Sequence, residues 1–151
     1  VAANSKREQI LAKVKTTLEA VSSIEHVERK PLRDMSELEE YPQTQLPLAV
    51  VLGSLPTPVE KVSDRDIILD RVRSVVTATV FVYAIENDNP DTKISTLADD
   101  VWVAIYDDMT LGFDWVIGLR IVPDIEVAFW YPYIAFNMQV EVTYLHGKGG
   151  I

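Results

Sequence analysis

Near its C-terminal end the chain alternates apolar and polar residues with a period of two: "YIAFNMQVEVTYLH". Ile134, Phe136, Met138, Val140, Val142 and Tyr144 share one parity, and Ala135, Asn137, Gln139, Glu141 and Thr143 the other. Successive strand side chains point to opposite faces, so this pattern predicts a strand over residues 133–145 with one buried and one wetter face. A longer alternation, "DRVRSVVTATVFVYAIE", covers 70–86. Val72, Val76, Ala78, Val80, Val82 and Ala84 fall on one parity; Arg73, Thr77, Thr79, Phe81, Tyr83 and Ile85 fall on the other. This length exceeds that of an ordinary strand, and predicts one that projects beyond its own core to pair or pack with something else.

Helical spacing appears twice. Ile10, Leu11, Val14, Leu18 and Val21 form a single stripe, with Lys6, Arg7, Lys13 and Lys15 off it, which predicts an amphipathic helix over 5–22. Ser5 and Glu8 have the spacing of a capping box at its start. Ile94, Leu97, Ala98, Val101, Ile105 and Met109 predict a second helix over 94–109. Trp102 widens its stripe, and Asp99, Asp100, Asp107 and Asp108 lie on its solvated side.

Shorter segments complete the pattern. "IEHVERKP" predicts a short strand, 31–45 a polar loop, and "LPLAVVLG" a buried strand closed by Gly53. "SLPTPVEKVSD" predicts a connection, because two prolines two apart cannot continue a central strand. "NDNPDT" is a turn cluster, "TLGFDWVIG" is irregular and aromatic, and "LRIVPDIEVAFWYP" reads as one or two strands interrupted or edged by Pro123. Together these elements predict one α+β domain over 1–151, with two main helices on a mostly antiparallel sheet of five to six strands.

Composition narrows the functional classes. With 48% hydrophobic and 25% charged residues, the chain reads as globular. It has no cysteine, which removes disulfides, thiolate nucleophiles and Cys-ligated zinc. A net charge of −9 argues against general affinity for nucleic-acid phosphates. No apolar run is long enough to span a bilayer, and "VAANSKREQ" lacks the apolar region of a secretory signal, so a soluble cytoplasmic product is expected.

Candidate chemistry is sparse. His26 and His146 stand apart with no Cys near either, so both read as surface or structural residues rather than zinc ligands. Asp64, Asp66 and Asp70, and likewise Glu86, Asp88 and Asp91, resemble oxygen-rich clusters, but neither set has the Gly and closing Glu of an EF-hand loop. No serine lies in a G-x-S-x-G elbow and no G-x-G-x-x-G occurs. The terminal "HGKGGI" is no phosphate loop, because it lacks the first glycine, the hydroxyl residue and a following helix. No catalytic, metal or cofactor site is assigned.

Aromatic residues carry more information. Phe113, Trp115, Phe129, Trp130, Tyr131, Tyr133 and Phe136 crowd a short span. Three consecutive aromatics cannot all face one core, so at least one of Phe129, Trp130 and Tyr131 should meet a partner or cover an edge. Phe113, Trp115, Phe129, Trp130 and Tyr131 are the candidate interface residues, and the alternative is a strand buried on both faces within the monomer. A different class of protein, a small-ligand-binding or enzymatic domain, would use Trp102, Trp115 and Trp130 as an apolar pocket.

The order "REQILAKVKTTLEAV", "LPLAVVLG", "RSVVTATVFVYAI", "ISTLADDVWVAIYDDM" and "FNMQVEVTYLH" resembles the tail terminator (tail completion) proteins of long-tailed bacteriophages, prophage tails and gene transfer agents. Head-closure and head–tail joining proteins of the neck share much of that pattern. The resemblance implies a non-enzymatic virion protein of the tail neck, assembled in the host cytoplasm. It would form a homo-hexameric ring on the last ring of tail tube protein, stop polymerisation and present a surface to the head connector. DNA would pass through the lumen without specific binding; six chains at −9 would carry roughly −54, which repels DNA phosphates.

Overall fold

In the computed structural model, residues 5–59, 71–122 and 125–147 are described. A single seven-stranded sheet is built around two 15-residue strands, β4 (Arg71–Ile85) and β7 (Tyr133–Gly147). They pair antiparallel without a slip, from Arg71 opposite Gly147 to Ile85 opposite Tyr133. Shorter strands flank this pair on both sides. β2 (Leu48–Gly53) and β3 (Thr57–Pro58) pair with β4, while β5 (Val116–Ile121) and β6 (Glu126–Trp130) pair with β7. β1 (His26–Glu28) adds parallel to β2, so the sheet is mixed.

Both predicted alternations are present. Val76, Ala78, Val80, Val82 and Ala84 of β4 are buried on the same face as Ile134, Phe136, Met138, Val140, Val142 and Tyr144 of β7. Two helices cover that face. α1 (Lys6–Glu19) buries Ile10, Leu11, Val14 and Leu18, and a later helix, Pro90–Tyr106, buries Ile94, Leu97, Val101 and Ile105. Each such side chain contributes about 1.5–3 kcal/mol relative to exposure.

The opposite face carries a smaller cluster. Leu38, Leu46, Leu48 and Val50 are buried there against Phe81, Tyr83, Trp130 and Tyr133. α2 (Met35–Glu40) brings in Leu38, with Asp34 accepting the Glu37 amide at 3.2 Å as its N-cap. The long helix Pro90–Tyr106 is therefore α3 in chain order.

Several expectations change. The polar stretch 31–45 is not all loop: it holds α2 and a 3₁₀ turn at Gln43–Gln45. Six residues with one buried leucine cannot show a helical stripe, which is why the pattern missed α2. Among the described residues the sheet has seven strands rather than five to six, because Thr57 and Pro58 form a two-residue edge piece opposite Val75 and Ser74. Proline is compatible with such an edge, where its missing N–H breaks no ladder bond. α1 ends at Glu19 rather than 22, though Val21 still packs into the core. α3 begins at Pro90, inside the predicted turn, since a fixed φ suits the first helical turn. It ends at Tyr106, and Met109 lies beyond it, exposed.

The capping box is half formed. Ser5 Oγ accepts the Glu8 amide at 3.2 Å, but the Glu8 carboxylate turns instead to Arg29, with contacts of 2.6 and 3.2 Å. That pair ties the first turn of α1 to the residue following β1. The Arg29 hydrogen bond, joined by its charge, holds the Glu8 carboxyl below its ordinary range.

Candidate docking surface

β6 hydrogen-bonds only to β7 among the described strands, from Glu126 opposite Asn137 to Trp130 opposite Tyr133. Tyr131 and Pro132 form the two-residue turn between them and are joined by a cis peptide bond. Directly opposed residues of an antiparallel pair share a face. Val127 and Phe129, opposite Phe136 and Ile134, therefore lie on the face that α1 and α3 cover elsewhere. Here neither helix hides them: Val127 is 46% exposed, Phe129 53% and Tyr131 75%. Phe129 and Tyr131 border a small hollow of about 40 Å3 with Glu86, Pro90 and Pro132. The result is an open strand edge carrying large apolar side chains, a combination that marks an interaction surface.

Trp130 points the other way. It shares a face with Tyr133, the rings 6.4 Å apart, and packs against the smaller cluster with its indole Nε1 buried. Phe113 and Trp115 sit toward the opposite end of β7. They stack at 4.5 Å, Trp115 meets Tyr144 edge-on at 5.9 Å, and Lys6 Nζ lies 5.2 Å from the Trp115 ring. Lys6 also donates to the Leu145 carbonyl at 2.9 Å. So of the five aromatic candidates, Phe129 and Tyr131 are brought together on the surface, while Trp130, Phe113 and Trp115 are partly buried against the hydrophobic clusters.

An apolar pocket built from three tryptophans does not form. Trp102 lies on α3 beside Tyr106, Trp115 immediately precedes β5, and Trp130 ends β6 on the other face of the sheet. One polar pairing went unseen in the sequence. His146 is buried, and its Nε2 lies 2.7 Å from Ser74 Oγ. The Gly147 carbonyl, 2.7 Å from Nδ1, can only accept, so Nδ1 carries the proton and in the neutral ring Nε2 accepts from Ser74. This resembles a nucleophile and its base, yet Ser74 is only 1% exposed and offers a substrate no approach. Spacing could not reveal it, because the two meet only through the β4–β7 register.

His26 is partly exposed and contacts Glu28 at 2.8 Å. Glu86 Oε1 accepts the Asp88 amide at 3.1 Å, which organises the turn into α3. Asp64, Asp66, Asp70, Pro123 and the tail from Lys148 to Ile151 lie outside the described residues. Among the described residues no helix is long and apolar enough to cross a membrane.

Among the described residues, the fold and this surface define an α+β protein with an open hydrophobic sheet edge. No protein-family model matches the chain, and no curated protein matches it by sequence.

Proposed function

We propose that the protein is a non-enzymatic, ring-forming structural component of a phage tail. In this reading it is the tail terminator, which caps the tail tube, stops its polymerisation and forms the docking surface for the head connector. One observation carries the reading: the β6–β7 hairpin leaves Val127 and Phe129 of β6 and Tyr131 of its turn exposed, on a strand edge that no other described strand pairs. Such an edge is costly in an isolated protein and useful in an assembly, where heterologous contacts close into a ring if the rotation permits. The order of elements, which resembles the tail terminator family, supplies the ring size of six and the site in the virion neck. The charge of −9 per chain suits a lumen through which DNA passes without being held.

Electron microscopy and native mass measurement of the purified protein, alone and with tail tube subunits, test this. Hexameric rings, or monomers that add to tube ends and halt their growth, are expected. A compact monomer that leaves tube length unchanged would refute it.

A further inference from the structure

α1 and α3 lie side by side on the sheet and leave an open groove of about 740 Å3 between them. Small side chains keep it open: Thr16 and Thr17 from α1, its C-cap Ala20, and Ala104 from α3. Val103, also lining it, is 49% exposed. Four carboxylates, Asp99, Asp100, Asp107 and Asp108, line the α3 side, with Lys13 facing them from α1. Asp100 accepts from Ser23 Oγ at 2.7 Å, and Asp108 stands 4.0 Å from Lys13 Nζ, both side chains more than a third exposed and so weakly coupled. The Asp99 and Asp107 carboxylates have no hydrogen bond or ion pair with any described residue.

This charge sits where the free protein gains least from it. Asp107 is the C-cap of α3, and the last turn holds no basic residue. Helix C-termini carry partial negative charge, so carboxylates there are repelled and a cation is attracted. The groove thus pairs exposed apolar surface with an unneutralised acidic rim.

We propose that the groove docks a basic amphipathic helix of another protein. The apolar stripe of that helix packs on Ala20, Val103 and Ala104, and flanking Lys or Arg side chains reach Asp99 and Asp107. A helix fits because parallel ridges of helical side chains form the walls, and small residues let a third helix approach closely. A second copy is disfavoured by charge, since each chain carries −9. The docking goes beyond the ring reading and does not depend on it.

A fluorescein-labelled peptide with a Leu/Ala stripe and Lys flanks tests the proposal by anisotropy, beside a counterpart with Glu flanks. The Lys-flanked peptide should bind and weaken as salt rises, and the Glu-flanked one should not bind. Asp99→Asn with Asp107→Asn should weaken binding about tenfold, as two rim ion pairs are lost. Glu39→Gln with Glu40→Gln, the same change in net charge on exposed α2 positions, should leave it unaltered. Ala104→Trp should fill the groove and abolish binding; if that variant fails to fold, the paired Asn variant decides. Equal affinity for both peptides, or equal weakening by the α2 and α3 variants, would overturn the proposal.

Discussion

Ser74 Oγ and His146 Nε2 lie 2.7 Å apart inside the sheet, on paired strands although 72 residues separate them in the chain. Ser74→Ala removes the donor and leaves a buried ring nitrogen without a partner, at a cost of about 1–3 kcal/mol. Urea unfolding should show a lower midpoint with an unchanged slope. Adding His146→Phe should recover part of that loss, because an apolar pair leaves no unsatisfied group. An unaltered midpoint for Ser74→Ala would show that the bond is not made.

Neighbouring aromatics should separate assembly from stability. Phe129→Ser and Tyr131→Ser change exposed side chains, so monomer stability should stay within about 0.5 kcal/mol while, if the proposed ring forms, its mass falls to that of a monomer. Trp130→Ala should do the reverse: its ring packs in the smaller cluster, and its loss should cost roughly 3 kcal/mol. Thermal melts and native mass measured on the three variants together check both halves.

Gly53 ends β2 where α1 crosses it. A Cβ built there would stand 2.5 Å from Leu11 Cδ1 and 3.1 Å from Leu11 Cγ, and Leu11 is fully buried. Gly53→Ala should therefore destabilise by about 1–3 kcal/mol through overpacking. With Leu11→Ala already in place the same change should cost less, and a double-mutant cycle would measure the coupling.

Tyr41 and Glu28 link stability to pH at both extremes. The Tyr41 hydroxyl donates to Glu28 at 2.7 Å. Burial, then this bond, pushes the Tyr41 phenol up to about 12. The bond from Tyr41, helped by His26, holds the Glu28 carboxyl below 4.5. A depressed carboxyl stabilises above its unfolded value and loses that contribution as pH falls through the folded one. A raised phenol stabilises below 10.0 and loses that contribution as pH climbs toward about 12. Tyr41→Phe should lower stability at neutral pH and flatten the decline on both flanks; a parallel pH profile for the variant would contradict the linkage.

Much of the fold was legible because solvent writes it into the sequence. β4 and β7 each have a drier face, so their period of two survives, and α1 and α3 bury one stripe each. β6 was harder to place: it exposes apolar residues on an open edge, so its composition resembles that of a core strand. α2 and β3 are too short for any period to develop. The parallel pairing of β1 with β2 leaves no mark on either segment alone. Of the candidate surface, the three-aromatic run was readable as a conflict, but only the pairing of Phe129 with Ile134 and Trp130 with Tyr133 assigns each ring to a face.

The uninterrupted ladder between β4 and β7 also sets how the chain must fold. Its central contacts join segments separated by all of α3, β5 and β6, so a long loop has to close before any rung of the ladder contributes. Non-local topologies of this kind fold on the order of milliseconds to seconds rather than microseconds. Throughout that interval the valine-rich edge of β4 that β7 will take stays open along its fifteen residues. The segment that gives the native protein its spine is thus, during folding, a strand edge open to pairing with another chain.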